Sequence, residues 1–282
     1  MNKSQAIAYL GPVGTYSELA AWGYVQHFCS GSSPDLVPYP TIPQAIQAVV
    51  RGKQHLAIVP AENSIQGSVT MTLDTVWELE GLQIQQALVL PIKNALLSNC
   101  QDLSKISAVY SHPQPLAQCQ NWLDQNLPQA QQIATNSTVE GVQAAKQNPN
   151  FAAIASPRAA KMYQLPVVVC PINDHPDNCT RFWVMGITVP TISGTHTSIA
   201  FSLKKNIPGA LVKTLAIFAE REINLSRIES RPTKKSLGDY IFFADAEASL
   251  SESRMQEVIL ALADITEKLS VFGSYGITAI AG

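Results

Sequence analysis

An α/β region over residues 1–189, followed by a small α+β domain over residues 197–282, is the architecture this sequence predicts. Three observations carry that expectation. Through the first two thirds, short apolar runs alternate with segments of helical spacing. The tail instead reads as strand, helix, strand, strand, helix, strand. Charge also changes: residues 1–189 hold 9 Lys and Arg with 11 Asp and Glu, whereas 190–282 hold 10 and 10. The change falls at Pro190-Thr191-Ile192-Ser193-Gly194-Thr195-His196, a run of turn-forming residues that reads as a linker.

The first strand is expected at 6–10, where apolar residues run up to the break at Gly11-Pro12. Residues 17–28 carry helical spacing, as do 42–51 and 139–147. Buried strands are expected at 56–59, 86–90, 108–110, 151–155 and 182–187, each a short apolar run. Strands that alternate with helices favour a largely parallel sheet, and in such sheets ligands sit where strand ends meet helix amino termini. In the tail, strands are expected at 198–203, 224–230, 240–244 and 271–277, with helices at 209–221 and 252–269. That order is the ferredoxin-like βαββαβ unit.

Composition narrows the function. The chain has 282 residues, 46% hydrophobic and 14% charged, with net charge -2 and pI about 6.2. Without a basic excess, a nucleic-acid partner has no electrostatic basis. No apolar run approaches the ~18 residues of a membrane span, and the apolar run after Met1-Asn2-Lys3 is too short for a signal-peptide core. Five cysteines (Cys29, Cys100, Cys119, Cys170, Cys179) are irregularly spaced with no C-x-x-C, which suits a reducing cytoplasm. The five histidines show no metal-ligand spacing, so neither a metal nor another cofactor is expected.

The most informative segment is Asn178-Cys179-Thr180-Arg181-Phe182. It sets a hydroxyl beside one of only three arginines in the first 189 residues. Four polar segments lie upstream, each where a helix should begin. Gly11-Pro12-Val13-Gly14-Thr15-Tyr16-Ser17 offers close backbone approach, hydroxyl donors and a helix amino terminus, although in isolation a glycine turn with a serine N-cap is the plainer reading. Glu62-Asn63-Ser64 follows the strand at 56–59, with Glu62 read as structural. Ser111-His112-Pro113-Gln114-Pro115 follows the strand at 108–110, with His112 read as a loop residue that satisfies backbone groups. Asn136-Ser137-Thr138 reads as a helix cap. Together they describe a pocket in which neutral donors hold a small anion. Arg181 is the candidate for a carboxylate, with a structural pair to Asp174 or Asp177 as the alternative.

These segments resemble those of the prephenate dehydratase family. In the tail, Gly209-Ala210-Leu211-Val212, Ile223-Asn224-Leu225 and Glu229-Ser230-Arg231-Pro232 resemble the regulatory ACT domain attached to that enzyme. The resemblance covers nearly the whole chain in the same order. It implies two α/β lobes like type 2 periplasmic binding proteins, with the site in the cleft between them. It implies conversion of prephenate to phenylpyruvate, water and carbon dioxide, with Thr180 catalytic. Thr15, Asn63, Ser64, Ser111, Gln114, Ser137, Thr138, Arg181 and Phe182 would contact substrate. L-phenylalanine would bind at Gly209, Ala210, Leu211, Val212, Glu229, Ser230, Arg231 and Pro232 as a feedback inhibitor of a homodimer or homotetramer. Gly141 stands where the family commonly has Ala. Arogenate dehydratase, and an amino-acid sensor without activity, are the competing readings.

Overall fold

The computed structural model describes residues 6–29, 31, 33–188 and 194–281. Residues 189–193, where the domain boundary and most of the linker were expected, lie outside them. The first lobe begins with β1 (Ile7–Leu10), α1 (Tyr16–Phe28), β2 (Leu36–Tyr39), α2 (Ile42–Val50), β3 (Leu56–Asn63), β4 (Gly67–Ser68), α3 (Thr70–Glu78) and β5 (Gln83–Pro91). The second lobe is β6 (Ala95–Ser98), β7 (Ala108–Ser111), α4 (Pro113–Gln118), α5 (Gln120–Asn126), β8 (Gln131–Ala134), α6 (Thr138–Ala145), β9 (Phe151–Ala155), α7 (Pro157–Tyr163) and β10 (Val167–Val169). The chain then returns to the first lobe as β11 (Cys179–Gly186). The tail follows as β12 (His196–Leu203), α8 (Ala210–Ala219), β13 (Leu225–Pro232), β14 (Tyr240–Ala246), α9 (Ser253–Ile265), β15 (Thr266–Tyr275) and β16 (Ile277–Ala279).

The first sheet runs β16-β5-β11-β3-β1-β2, with β4 paired to β3. It is mixed rather than largely parallel, because β11 arrives from the other lobe and lies antiparallel to both β3 and β5. The second sheet, β10-β6-β9-β7-β8, is parallel only on its β9-β7-β8 side. The tail forms a four-stranded antiparallel sheet, β13-β14-β12-β15, with α8 and α9 packed on one face. Two expectations shift there. The second tail helix stops at Ile265 instead of continuing to 269, and β15 starts at once with Thr266. β15 supplies the expected last strand of the tail, and a further strand, β16, leaves the tail to pair in parallel with β5 of the first sheet.

Alternation along β11 sorts the layers, since successive strand side chains point to opposite faces. Phe182 and Val184 join Ile7, Tyr9 and Ile58 beneath α1. Trp183 and Met185 join Val59 and Ile46 on the opposite face, in a core that continues into Phe243, Phe272 and Tyr275 of the tail. The tail therefore shares a hydrophobic core with the first lobe. The lobes themselves are fastened beside the cleft by Arg158, which meets Glu18 with Nε and Nη2, both at 3.1 Å.

In the second lobe, α6 lies unusually close to β7. A Cβ on Gly141 would stand 2.9 Å from the Tyr110 carbonyl oxygen and 3.2 Å from the Ser111 Cα. Backbone cannot rotate aside as a side chain can. Gly141→Ala should push α6 outward and lower stability by about 1–2 kcal/mol despite alanine's better helix propensity, measurable as a fall in the urea midpoint.

Candidate active site

Thr180 sits where β11 enters the first sheet, paired with Asn63 at the end of β3. Both are buried, at 8% and 4% exposure. The Asn63 amide is fixed at both ends. Its Oδ1 accepts the backbone N–H groups of Ile65 and Gln66, each at 3.1 Å. That orients Nδ2 to donate to Asn178 Oδ1 at 2.8 Å, Thr180 Oγ1 at 3.0 Å and the Cys179 carbonyl at 3.1 Å. The Thr180 oxygen is thus an acceptor from Asn63, and its own proton is left to donate elsewhere.

Thr180 lines a cavity of about 330 Å³ at the junction of the two lobes. Thr15 contributes from the start of α1, where it accepts the Glu18 N–H and donates to the Pro12 carbonyl at 2.9 Å. Ser137 contributes from the start of α6, where it accepts the Glu140 N–H at 3.1 Å. Asn63, Gln114, Thr138 and Phe182 are the other expected residues that line it. His112 also faces the cavity; its Nδ1 accepts the Gln114 N–H at 3.3 Å, and burial holds its pKa below the usual imidazole range. That shift favours the neutral ring, and with Nδ1 accepting, the neutral ring carries its proton on Nε2. No Asp, Glu, Lys or Arg lies among the described residues that line the cavity. The positive ends of the α1 and α6 dipoles supply what positive potential there is.

Gln118 was not anticipated. Only 5% exposed, it lines the cavity with a side-chain Nε2 that has no acceptor among the described residues. Its Oε1 accepts from Asn178 Nδ2 at 3.2 Å and Asn94 Nδ2 at 3.3 Å, which fixes the amide. A buried donor without a partner is costly unless a ligand supplies the acceptor. Its signal was in the sequence: Gln118 lies four residues after Gln114, on the same face of one helix.

Three expected ligand contacts are not among the residues lining the cavity. Ser64 instead accepts the Cys179 N–H at 3.0 Å. Ser111 is buried and donates to the Ile154 carbonyl at 2.7 Å. Arg181 follows Thr180 along the strand and so projects from the opposite face. Its Nη1 reaches Asp245 at 3.1 Å and Glu62 at 3.6 Å. The alternative partner Asp174 serves elsewhere, accepting the N–H groups of Asn121 and Trp122.

In the tail, Gly209 precedes α8 with φ 83°, a left-handed conformation that favours glycine, and no side chain caps the helix. Along β13, Glu229 and Arg231 turn toward the first lobe. Glu229 accepts from Ser68 at 3.4 Å, and Arg231 meets Asp74 with two bonds of 3.1 and 3.2 Å. Ser230 and Pro232 are exposed. A larger concavity, about 680 Å³, opens between Trp77 and Lys204, Lys235 and Lys268. None of the helix entries or amides described above line it.

Comparison with known proteins identifies a family for each part of the chain. The sequence model of the family described as prephenate dehydratase matches residues 7–188, and that of the ACT domain matches residues 197–264. A prephenate dehydratase of Lactococcus lactis is 36% identical, over 97% of this chain and 98% of that protein. A bifunctional chorismate mutase/prephenate dehydratase of Aquifex aeolicus is 38% identical, over 98% of this chain and 74% of its own length. The crystal structure of prephenate dehydratase from Arthrobacter aurescens in complex with L-Phe superposes with a TM-score of 0.87. It is 33% identical, with 96% of this chain and 90% of that chain covered.

Proposed function

Since this chain belongs to the prephenate dehydratase family, we propose that it converts prephenate to phenylpyruvate, water and carbon dioxide, with Thr180 as the acid and L-phenylalanine as the feedback effector. One observation carries the chemistry: Thr180 lies in a cavity of neutral donors with its oxygen held by Asn63. In the reaction the bond to the ring carboxylate breaks and its electron pair enters the ring. The carbon–oxygen bond across the ring breaks with it, and the departing oxygen needs a proton to leave as water. Thr180 donates that proton, and the Asn63 N–H stabilises the negative charge that develops on its oxygen. The proton is later replaced from solvent. Neutral donors suit the departing carboxylate, because a strong ion pair would stabilise the reactant more than the transition state.

The same lining supports prephenate over arogenate. An ammonium group in place of the keto oxygen would find no carboxylate among the described residues that line the cavity. Purified protein without added cofactor should form phenylpyruvate from prephenate, with kcat/KM at least about tenfold above that for arogenate; a reversed ratio would reassign the substrate. Gln118→Met keeps the volume and removes the donor. It should lower kcat/KM for prephenate by about 10- to 100-fold, the worth of one to two unpaired buried groups.

For the effector, the turn at Gly209 and the uncapped start of α8 present backbone N–H groups suited to an amino-acid carboxylate. β13 is the edge of its sheet, and Ile228 and Val212 are 45% and 69% exposed. That surface supports a symmetric homodimer or homotetramer, with phenylalanine bound near the junction of two tail domains; solution mass by light scattering tests it. A cytoplasmic location is part of this reading, supported by cysteines that are irregularly spaced with no C-x-x-C.

A further inference from the structure

The charged cluster behind Thr180 belongs to both domains. Asp245, on β14, is fully buried. It receives Arg227 of β13 through Nε at 2.8 Å and Nη2 at 3.1 Å, and the hydroxyl of Ser198 on β12 at 2.5 Å. That hydroxyl in turn bonds Tyr275 of β15 at 2.6 Å. All four strands of the tail sheet therefore converge on one carboxylate. Burial alone would raise its pKa, but Arg227, Ser198 and Arg181 outweigh burial and hold it below the usual carboxylate range. The second cation of the cluster is Arg181 of β11, bonded to Asp245 at 3.1 Å and near Glu62 of β3 at 3.6 Å.

Register makes this cluster relevant to catalysis. On β11 and β3, Thr180 pairs with Asn63 and Arg181 pairs with Glu62, and the pairing slips by a residue just after Arg181. One pair faces the cleft and the next faces the tail. A second limb grips the same place. Ser68 of β4 pairs with Glu62, and its hydroxyl accepts from Arg227 Nη1 at 3.3 Å and donates to Glu229 at 3.4 Å. β11 is thus held one residue from Thr180 by Asp245 of the tail sheet, and β3 is held indirectly, through its pairing with β4 and the Ser68 hydroxyl. Arg227 also lies over the Trp183 ring, 5.3 Å from its centroid.

We infer that Arg181 is a positioning residue, and that the Arg181–Asp245–Arg227 cluster carries effector control from the tail domain to Thr180. This rests on the proposal that phenylalanine acts at the tail domain. A shear of the tail sheet that displaces Asp245 draws on Arg181, and through the slipped register it re-aims Thr180 while leaving the cavity walls in place. Ligand control of this kind requires the two domain arrangements to differ in contacts, and this cluster supplies such contacts.

Charge count selects the test. Asp245→Asn would leave two arginines facing one carboxylate in a buried site, and the variant could fail to fold. Arg181→Met leaves the Asp245–Arg227 pair neutral and intact, and Ser68→Ala releases the second limb at a partly exposed hydroxyl. The full-length protein is assayed for phenylpyruvate formation with and without saturating L-phenylalanine, and binding of phenylalanine is measured by calorimetry. In Arg181→Met, phenylalanine should bind within about threefold of wild type, while its effect on turnover shrinks by roughly 5- to 150-fold, the usual span of such coupling. KM for prephenate should move less than about fivefold, with any loss falling on kcat. Ser68→Ala should show the same change in weaker form, and Arg181→Lys should restore part of the inhibition.

Undiminished inhibition in Arg181→Met would overturn the inference. So would a rise in KM of about 100-fold with inhibition intact, since Arg181 would then be holding substrate. Active wild-type protein that binds phenylalanine without any change in turnover would overturn it as well. Wild-type protein that forms no phenylpyruvate would instead defeat the proposed function, so the two failures are distinguishable.

Discussion

Thr180→Ala is expected to lower kcat for prephenate by about 10²- to 10⁴-fold while KM changes less than about threefold, the span of a single general-acid contribution. The asymmetry follows from the geometry. The Thr180 hydroxyl is one of many neutral donors in the cavity, so its loss removes little ground-state binding. It is the one whose oxygen is held by an amide fixed at both ends. A threonine is far too weak an acid unaided. The Asn63 N–H, at 3.0 Å, offsets part of the charge left behind as the proton moves. Thr180→Ser keeps the hydroxyl and should retain most activity. Steady-state kinetics on the three proteins decide the point; an equal loss of kcat and substrate affinity in Thr180→Ala would assign the residue to binding instead.

Asn63→Asp should be nearly as damaging, with kcat down at least about 10²-fold and stability lower by about 1–3 kcal/mol. The substitution is isosteric, so the loss is electrostatic. A carboxylate oxygen would replace the Nδ2 group that now meets Asn178 Oδ1, the Cys179 carbonyl and Thr180 Oγ1, three acceptors within 3.1 Å. Two of those contacts turn repulsive. The third inverts, because Thr180 would donate its proton to the introduced carboxylate rather than to the substrate. Chemical denaturation together with kinetics separates the two effects. Wild-type turnover in this variant would remove Asn63 from the proposed chemistry.

How far the sequence revealed this arrangement depended on the kind of signal. The strands at 151–155 and 108–110 were found because unbroken apolar runs bounded by turns mark buried strands. β2, β8 and β10 escaped: Leu36–Tyr39 contains a proline, Gln131–Ala134 opens on two glutamines, and Val167–Val169 is three residues long. The entry at Asn136-Ser137-Thr138 was read as a cap, and Ser137 caps α6; the first helix starts earlier than expected and is capped by Thr15 rather than a serine. Arg181 was misread for an instructive reason. The expected strand began at 182, so Thr180 and Arg181 looked like neighbours in a loop that could serve one ligand. β11 begins at Cys179, and strand alternation sends adjacent side chains to opposite faces. Scarcity of cations suggested a substrate anion, whereas the anion is Asp245, 64 residues away in the tail. Partners at such sequence separation leave no local pattern. Gln114 was found and Gln118 was not, although their spacing on one helix made them equivalent.

The re-entry of β16 into the first sheet has a mechanical consequence. The backbone crosses between the two bodies twice, once after β11 and again between Tyr275 and Ile277, where Ala87 N–H donates to the Gly276 carbonyl at 2.9 Å and Ile280 N–H to the Val89 carbonyl at 2.9 Å. A body tethered at one point can swivel in any direction; a second tether removes that freedom. β5 and β11 are neighbouring strands, so the second tether is fastened to the strand beside the one that carries Thr180.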